Sequence, residues 1–193
     1  MKNFSGQTFC FLGRSGAGKD SQVNFLKDFL NQQGYKILSI STGDEGRKLI
    51  VKNTAVGRWL KEILDAGNFF PDWMAISLWL CVAQNELNLK DILLFSGSPR
   101  KVVEAQVLDE LSRGTHRSLP VPVYLDISED EARRRLLKRE RSDDNLTAIN
   151  SRLAWFVDQV LPIINYYGDR VLKIDGTGTK EEVNQRMMKE LLK

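Results

Sequence analysis

The chain has 193 residues, of which 42% are hydrophobic, and its formal net charge is +3. This length can bury one substantial core of mixed helices and strands, and it argues against a second full domain. Because the charge is small for the size, composition supports neither a nucleic-acid-binding protein nor a membrane-surface protein.

The cysteines, the histidine and the hydropathy pattern argue against a metal site, a histidine-based catalyst and a membrane protein. Cys10 and Cys81 lie in apolar runs without metal-ligand spacing, which predicts buried, reduced thiols in a cytoplasmic protein. The single histidine, His116, lies in a polar loop, which favours a surface residue over a catalytic base. The apolar run 76–83 is too short to span a bilayer, so we expect a soluble protein without a membrane partner.

A glycine-rich loop with the sequence GRSGAGKDS follows the first predicted strand, residues 8–12, and precedes a helical pattern. Small residues let successive backbone N–H groups surround a polyphosphate, and the helix N-terminus favours the anion. A plain turn with a solvated lysine is the alternative, and the glycine spacing disfavours it. The loop therefore predicts ATP binding by Gly13, Arg14, Ser15, Gly16, Ala17, Gly18, Lys19, Asp20 and Ser21.

Asp20 departs from the strict phosphate-loop pattern, in which Ser or Thr directly follows the lysine and holds Mg²⁺. A carboxylate that faced the phosphates would repel them. We therefore expect Asp20 to point away from the nucleotide and Ser21 to be the hydroxyl nearest the phosphates. The sequence assigns no direct protein ligand to the metal and leaves Ser21 as a candidate.

A second strand, predicted over 35–40, ends at the cap and turn residues STGD. Arg47 lies one turn into the helix that follows, and a short helix is predicted over 56–64. Pro71 and Asp72 restart the chain as a core helix, which is predicted to carry Trp73 on its buried side.

A third strand, predicted over 91–95, runs directly into the turn SGSPR and delivers Arg100 at its carboxyl end. In open α/β sheets, ligands bind at that edge. A fourth strand is predicted over 121–127, and a capping box of Ser128 and Glu131 begins the next helix. Acidic residues flank the basic run 133–141, which favours a phosphate-facing role over a nucleic-acid surface.

The last third of the chain predicts a long helix from Asn145 with a kink at Pro162, then a fifth strand over 171–174. A second capping box, Thr179 and Glu182, opens the terminal helix. Five strands alternating with helices predict an α/β fold with three layers, in which helices flank a mostly parallel sheet.

The arginines point to phosphoryl transfer, which requires two phosphate-bearing substrates held in line with positive charge around the migrating group. Arg47 and Arg100 are suited to grip a second anion beside ATP. Arg139, Arg141 and Arg152 are suited to close over the phosphates. Together with Lys19, these arginines are the candidate catalytic residues.

Five stretches in this order resemble the nucleoside monophosphate kinases of the adenylate kinase family, in its short-lid form. They are GRSGAGKDSQ, STGDEGR, GNFFPD, GSPR and RLLKRERSDDN, the last followed by Arg152. The resemblance covers the whole chain and implies a P-loop NTPase fold in a single kinase domain over 1–193. It also implies a helical insertion for the monophosphate at about 42–72 and a minimal lid at about 139–145.

The resemblance implies roles for particular residues. The monophosphate site would comprise Thr42, Gly43, Arg47, Phe69, Phe70, Gly97, Arg100 and Glu104. On the ATP side, Arg135 would pack against the base, and the segment around Asp175 and Gly176 would border it. Asp143 and Asp144 would orient the lid arginines. The resemblance further implies a monomer that uses Mg²⁺ with ATP and has only nucleotides as partners.

Two departures from the family pattern bear on function. Ser96 stands where the family usually has an Asp that holds Mg²⁺ through water, and Glu104 stands where it has a glutamine that reads the adenine of AMP. A carboxylate only accepts hydrogen bonds, whereas an amide matches both edges of adenine. The family resemblance as a whole nevertheless favours an adenylate kinase, ATP plus AMP giving two ADP, and Glu104 leaves the choice of base open. A UMP/CMP-type kinase and a nucleotide-binding protein with little turnover remain open.

Overall fold

The computed structural model describes residues 2–66, 68–139 and 145–193. Its strands are β1 (Thr8–Leu12), β2 (Ile37–Ile40), β3 (Ile92–Ser96), β4 (Val121–Asp126) and β5 (Leu172–Asp175). Its α-helices are α1 (Lys19–Gln32), α2 (Thr42–Val51), α3 (Ala55–Asp65), α4 (Asp72–Glu86), α5 (Val102–Gly114), α6 (Glu129–Leu137), α7 (Leu146–Trp155), α8 (Leu161–Tyr167) and α9 (Lys180–Leu191). A π-helical turn, Phe156–Val160, joins α7 to α8, and a 3₁₀ turn, Gly168–Arg170, follows α8.

The five strands form one sheet in the order β2-β3-β1-β4-β5, and every neighbouring pair is parallel. In β1, Phe11 pairs with Ser96 of β3, and Leu12 pairs with Tyr124 of β4. The carboxyl ends of the three central strands therefore lie level with one another. The loops that follow these strands meet at one edge of the sheet, where open α/β proteins bind ligands.

Helices cover both faces of the sheet, because the alternating side chains of the central strands are buried on both sides. Phe9 and Phe11 of β1 pack into a cluster with residues of α1, α6, α7 and α9. On the opposite face, Cys10 packs with residues of α4 and α5, and Leu12 with residues of α5 and α8. The predicted three-layer fold is confirmed, with a sheet that is parallel throughout its described strands.

Helices α2 and α3 form a small unit between β2 and α4 with a cluster of its own. The buried side chains of that cluster are Leu60, Phe70, Met74 and Ala75. A Cβ on Gly46 of α2 would overlap the Phe70 ring, so glycine lets the helix lie directly on the aromatic side chain. Phe70 is thus a packing residue at the base of this unit.

The helix caps match the predictions with one exception. Ser41 accepts a hydrogen bond from the backbone of Asp44 (3.3 Å) at the start of α2. Thr179 and Glu182 form both bonds of a capping box. Ser128 accepts from the backbone of Glu131 (3.2 Å), but the Glu131 carboxylate binds the Arg134 and Arg135 side chains instead of reaching back. The second half of the predicted box at Ser128 is therefore wrong.

The long helix predicted from Asn145 changes type before Pro162. Residues Phe156–Val160 form a π-helical turn, and Pro162 lies in the first turn of α8. Proline cannot donate the helical hydrogen bond, and its ring crowds the preceding turn. The wider π turn accommodates this and is typical of helices near functional sites.

Burial of the tryptophans in α4 differs from the prediction. Trp73 is 61% exposed and stacks on Trp59 of α3, with ring centroids 6.3 Å apart, so its predicted place on the core side is wrong. Trp79 is the buried one and meets the Phe95 ring edge-on. The helix turns a different stripe toward the sheet because it also packs against the unit formed by α2 and α3.

Of the burial predictions for the two cysteines and the histidine, two are confirmed and one is wrong. Cys10 is buried, as expected, but Cys81 is exposed on α4, so its predicted burial is wrong. His116 is exposed, as predicted. In the described parts of the chain, no helix combines the length and the apolar character needed to cross a bilayer.

Candidate active site

A cavity of about 890 Å³ opens at the carboxyl ends of the parallel strands. Among the described residues that line it, the cationic side chains are Arg14, Lys19, Arg47, Arg100, Arg135, Lys138, Arg139, Arg152 and Lys180. The acidic side chains in the same described lining are Asp20 and Asp44. A concave site with this excess of positive charge favours a polyanionic ligand.

The loop between β1 and α1 has the backbone geometry of a phosphate cradle. Gly13 has a φ of 137° and Gly16 a φ of 86°. A Cβ would lie 2.6 Å from the Leu125 carbonyl oxygen at Gly13 and 2.9 Å from the Ala132 carbonyl oxygen at Gly16. Any larger residue would therefore open the loop, which is the physical reason for glycine at both positions.

Lys19 lies at the first position of α1 and folds back over this loop. Its Nζ donates to the carbonyl oxygens of Gly13 (3.0 Å) and Arg14 (2.9 Å). Burial lowers the pKa of Lys19 from 10.5 to about 8; nearby Asp20 opposes this shift, while Arg100 contributes to it. The site thus holds a buried ammonium group whose charge an anion would stabilise.

Arg100 brings a second charge to the same point. Its Nε donates to the Gly97 carbonyl oxygen (2.8 Å) directly after β3. A Cβ on Gly97 would lie 3.7 Å from Arg100 Nη2 and 3.7 Å from Lys19 Cε. The lysine of the first loop and the arginine of the GSPR turn therefore converge on one glycine.

Arg47 and Arg152 surround Arg100. Burial lowers the pKa of Arg100, Glu104 opposes the shift, and the charges of Arg152 and Arg47 lower it further. The position of a Cβ on Gly43 lies 3.5 Å from Arg47 Nη1 and 3.8 Å from Arg100 Nη2, so the two guanidinium groups meet over this glycine. Arg47 also forms an ion pair with Asp44. Like charges this close favour a bound anion between them.

Aromatic side chains border the same cavity. The rings of Phe69 and Trp155 have centroids 3.8 Å apart, and the Arg100 guanidinium carbon lies 4.9 Å from the Phe69 centroid. The Arg14 guanidinium carbon lies 3.9 Å from the Phe156 centroid. The sequence analysis assigned neither Trp155 nor Phe156 to the site, because no spacing signal marks which side of a π turn faces a ligand.

Arg135 connects α6 to the loop after β5. Its Nη2 donates to the carbonyl oxygen of Gly176 (3.0 Å), and its Nε donates to Glu131 (2.6 Å). The lining of the cavity on this side comes from Gly178, Thr179 and Lys180. These three residues extend the predicted segment by two to four positions along the chain.

The cavity brings together most of the predicted site residues. Those that line it are Gly13, Arg14, Ser15, Gly16, Ala17, Gly18, Lys19, Asp20, Ser21, Gly43, Arg47, Phe69, Gly97, Arg100, Arg135, Arg139 and Arg152. The predicted residues outside its described lining are Thr42, Phe70, Glu104, Asp175 and Gly176. Arg141, Asp143 and Asp144 lie outside the described residues, as does Gly67 of the GNFFPD stretch.

Comparison with known proteins gives the family. A family model described as Adenylate kinase matches residues 11–172. The adenylate kinase of Corynebacterium glutamicum is 35% identical over 180 residues, 93% of this chain and 96% of that protein. That of Thermus thermophilus is 35% identical over 188 residues, 94% and 95% of the two chains. That of Corynebacterium urealyticum is 33% identical over 174 residues, 90% and 93%.

The chain belongs to the adenylate kinase family. Membership confirms the resemblance that the five motifs indicated, together with the fold class and the prediction of a nucleoside monophosphate kinase, a phosphotransferase. The roles of the individual site residues stay predictions, and those that line the cavity are the ones to test by substitution.

Thr42 supports the GSPR turn of this family member from below. Its Oγ1 lies 2.6 Å from Ser98 Oγ, and both side chains are buried. The hydroxyl pair therefore ties the start of α2 to the turn that carries Arg100, so Thr42 fixes the site without lining it.

Glu104 differs most from its predicted role in AMP recognition. The side chain is 2% exposed, and its Oε1 accepts a hydrogen bond from the Arg100 backbone (3.2 Å). Oε2 has no hydrogen-bond partner among the described residues. Burial raises the pKa of Glu104 from 4.5 to about 7, although Arg100 opposes the shift. The geometry makes Glu104 a positioning residue beneath Arg100 rather than a reader of the base.

Replacement of Glu104 by Gln should change how stability depends on pH. Between pH 4.5 and 7 the folded state holds a proton on Glu104 that the unfolded state has lost, so wild type loses stability as the pH rises through this window. Relative to wild type, Glu104→Gln should gain about 3 kcal/mol in unfolding free energy between pH 4 and pH 8.

Urea denaturation of both proteins across this range measures the effect. Glu110→Gln, on the exposed side of the same helix, is the matched control for the substitution itself. Parallel stability curves for wild type and Glu104→Gln would show that the buried carboxyl does not titrate near neutrality.

Proposed function

We propose that the protein transfers the γ-phosphoryl group of ATP to AMP and forms two molecules of ADP. The observation that carries this proposal is the convergence of Lys19 and Arg100 on Gly97. Lys19 belongs to a triphosphate cradle, and Arg100, with Arg47 beside it, forms a second anion site. A bare NTPase needs only the first of these. Two anion sites that meet at one point favour in-line transfer between two nucleotides.

The proposed division of the site follows the cavity lining. ATP lies along the loop 13–21, with its base toward Arg135 and the segment 178–180. AMP lies toward Gly43, Arg47, Phe69 and Arg100. Arg139 and Arg152 act on the migrating phosphoryl group, joined by Arg141. In this proposal the chain works as one kinase domain, with the monophosphate insertion at about 42–72 and the lid at about 139–145.

Mg²⁺ is the proposed cofactor, and the donor set fits it. Asp20, Ser21 and Ser96 have side-chain oxygen atoms, and all three residues line the cavity together with Lys19. Mg²⁺ in nucleotide sites usually binds one or two carboxylates in addition to phosphates and water, so Asp20 with ATP is a sufficient kind of donor set. In the described part of the chain, no group of three or more His, Cys, Asp or Glu side chains is placed to hold a metal by itself. When bound with ATP, the ion would neutralise charge on the phosphates.

We also propose that the protein acts in the cytoplasm as a monomer, with nucleotides as its partners and no nucleic acid or membrane. Ion pairs on α6 support the exclusion of nucleic acid. Arg134 and Arg135 bind Glu131, and Arg133 pairs with Glu129. The basic run of this helix is thus largely neutralised by its own acidic first turn.

A panel of acceptors tests the proposed reaction. Purified protein with Mg²⁺–ATP is mixed with AMP, CMP or UMP, and the products are separated and quantified. We expect ADP as the only diphosphate from AMP, at a kcat/KM well above that for CMP or UMP. Higher efficiency with a pyrimidine monophosphate would identify a UMP/CMP-type kinase, and no product from any acceptor would leave only nucleotide binding.

Arg47→Ala should weaken AMP use and leave ATP binding nearly unchanged. Arg47 meets Arg100 over Gly43, and both Arg47 and Gly43 belong to α2 rather than to the triphosphate loop. Loss of one charge-assisted hydrogen bond should raise the KM for AMP by about 10-fold or more. Arg58→Ala on exposed α3 is the control. Steady-state kinetics and ATP titration give both numbers, and weakened ATP binding with an unchanged KM for AMP would reverse the assignment of the two sites.

A further inference from the structure

The two unusual residues of the phosphate site contact each other. Asp20 stands in α1 where the strict loop pattern has a hydroxyl residue, and Ser96 stands at the end of β3 where the family resemblance places a carboxylate. The Ser96 hydroxyl donates a hydrogen bond to Asp20 Oδ1. Both side chains line the cavity together with Lys19. Two separate departures from the expected pattern are therefore one structural feature.

The contact follows from the register of the sheet. Phe11 of β1 pairs with Ser96 of β3, and the backbone N–H of Gly97 donates to the Phe11 carbonyl oxygen (3.3 Å). The loop after β1 returns to the same level when α1 begins, so Asp20 comes into contact with Ser96 in the lining of the cavity. A hydroxyl and a carboxylate at these two positions provide the same charge and the same oxygen donors in either order.

Other combinations at these positions would serve a nucleotide site less well. Two hydroxyls would leave a divalent cation without a carboxylate partner from this pair. Two carboxylates in contact would repel each other, and one of them would be held protonated. The combination present keeps a single negative charge, and Asp20 is exposed to the cavity while one of its oxygens is fixed by Ser96.

We propose that Asp20 and Ser96 are an exchanged pair, in which Asp20 supplies the carboxylate toward the Mg²⁺ that accompanies ATP and Ser96 orients it. This inference rests on the proposed function, since it concerns the metal of the same nucleotide. It replaces the expectation that Asp20 faces away from the site and that Ser21 is the candidate metal ligand. A purely structural alternative is that Asp20 only stabilises the positive N-terminus of α1.

The test measures metal binding rather than turnover alone. Asp20→Asn keeps the shape and the acceptor oxygen for Ser96 but removes the charge. In the complex with ATP, Mn²⁺ affinity measured by electron paramagnetic resonance should fall by about 10-fold or more, the range seen when residues that orient or support a metal site are altered. ATP binding in EDTA should be unchanged or tighter. Asp28→Asn on the same helix is the control.

The exchange itself is tested by Asp20→Ser, Ser96→Asp and the double variant. Asp20→Ser alone should lose Mn²⁺ affinity as Asp20→Asn does. The double variant, which restores the carboxylate from the opposite strand, should recover most of that loss. A double variant no better than Asp20→Ser, or an Asp20→Asn variant with wild-type Mn²⁺ affinity, would overturn the exchanged pair.

These measurements separate the pair from the proposed reaction. The Mn²⁺ signal requires only the complex with ATP, so it reports on Asp20 and Ser96 even in a protein that fails to make ADP from AMP. If no acceptor yields product but the Asp20 variants lose Mn²⁺ affinity as expected, the proposed reaction is rejected and the proposed role of Asp20 and Ser96 stands. If wild type makes ADP from AMP but no variant changes the Mn²⁺ affinity, the role of Asp20 and Ser96 is rejected and the proposed reaction stands.

Discussion

Lys19→Met is expected to reduce kcat for ADP formation by about 100-fold or more, because it removes the ammonium charge that the first loop directs at the phosphates. Lys19 Nζ already lies over the loop carbonyl oxygens of Gly13 and Arg14, so it is in place before the nucleotide binds. The substitution keeps the length and apolar body of the side chain. The loss should therefore appear in catalysis rather than in folding.

Stability of the unliganded protein gives the accompanying check. The pKa of Lys19 is about 8 in the folded state and 10.5 in its ordinary setting, so this charge opposes folding at every pH below about 8. Lys19→Met should thus have a thermal midpoint equal to or above that of wild type. Lys27→Met, on the same helix, should keep wild-type activity. Near-normal turnover in Lys19→Met would refute the assignment of the phosphate loop.

Arg152→Ala is expected to lower kcat by about 100-fold to 1,000-fold with a much smaller change in ATP affinity. Arg152 lies in the last turn of α7, which the π turn follows, and it lines the cavity. Its charge lowers the pKa of Arg100, which means that the two guanidinium groups lie close enough to interact electrostatically. Both are therefore placed to contact the same phosphoryl group. Charge placed where the phosphoryl group migrates stabilises the transition state more than the bound substrates.

Two further variants test this prediction: Arg152→Lys keeps the charge, and Arg133→Ala is the control. Lysine keeps the charge but lacks the planar fork that binds two phosphate oxygens, so Arg152→Lys should recover only part of kcat. Arg133 is partly exposed on α6 and bonds to Asn150 and Glu129, so its loss should leave kcat unchanged. Equal losses in kcat and in ATP affinity for Arg152→Ala would assign this arginine to ATP binding instead of transfer.

Much of the fold was predictable because its signals are local. Strand β1 is buried along its whole length and is followed by a glycine loop, and the same combination of a short apolar run and a turn marks β3. Lys19 and Arg100 could be assigned from such signals, since each closes the short turn that follows a strand. Parallel pairing then brings strand ends together without further information.

The errors have the opposite origin, because they depend on contacts between distant segments. Trp73 is exposed because its partner is Trp59 in the inserted unit, which no helical periodicity in α4 reveals. Glu104 lies one turn beyond Arg100, as expected, but its carboxylate turns back to the Arg100 backbone. The bond between Asp20 and Ser96 joins residues 76 positions apart and requires the register of β1 with β3.

A single ligand that fills both anion sites tests the central claim most directly. The claim is that the triphosphate cradle at Lys19 and the second anion site at Arg100 meet at Gly97 in one cavity. Calorimetric titration with an analogue in which a polyphosphate chain joins two adenosines should give one ligand per protein, and that ligand should prevent binding of both ATP and AMP. A ligand that displaces ATP while AMP still binds with its original affinity would contradict the account.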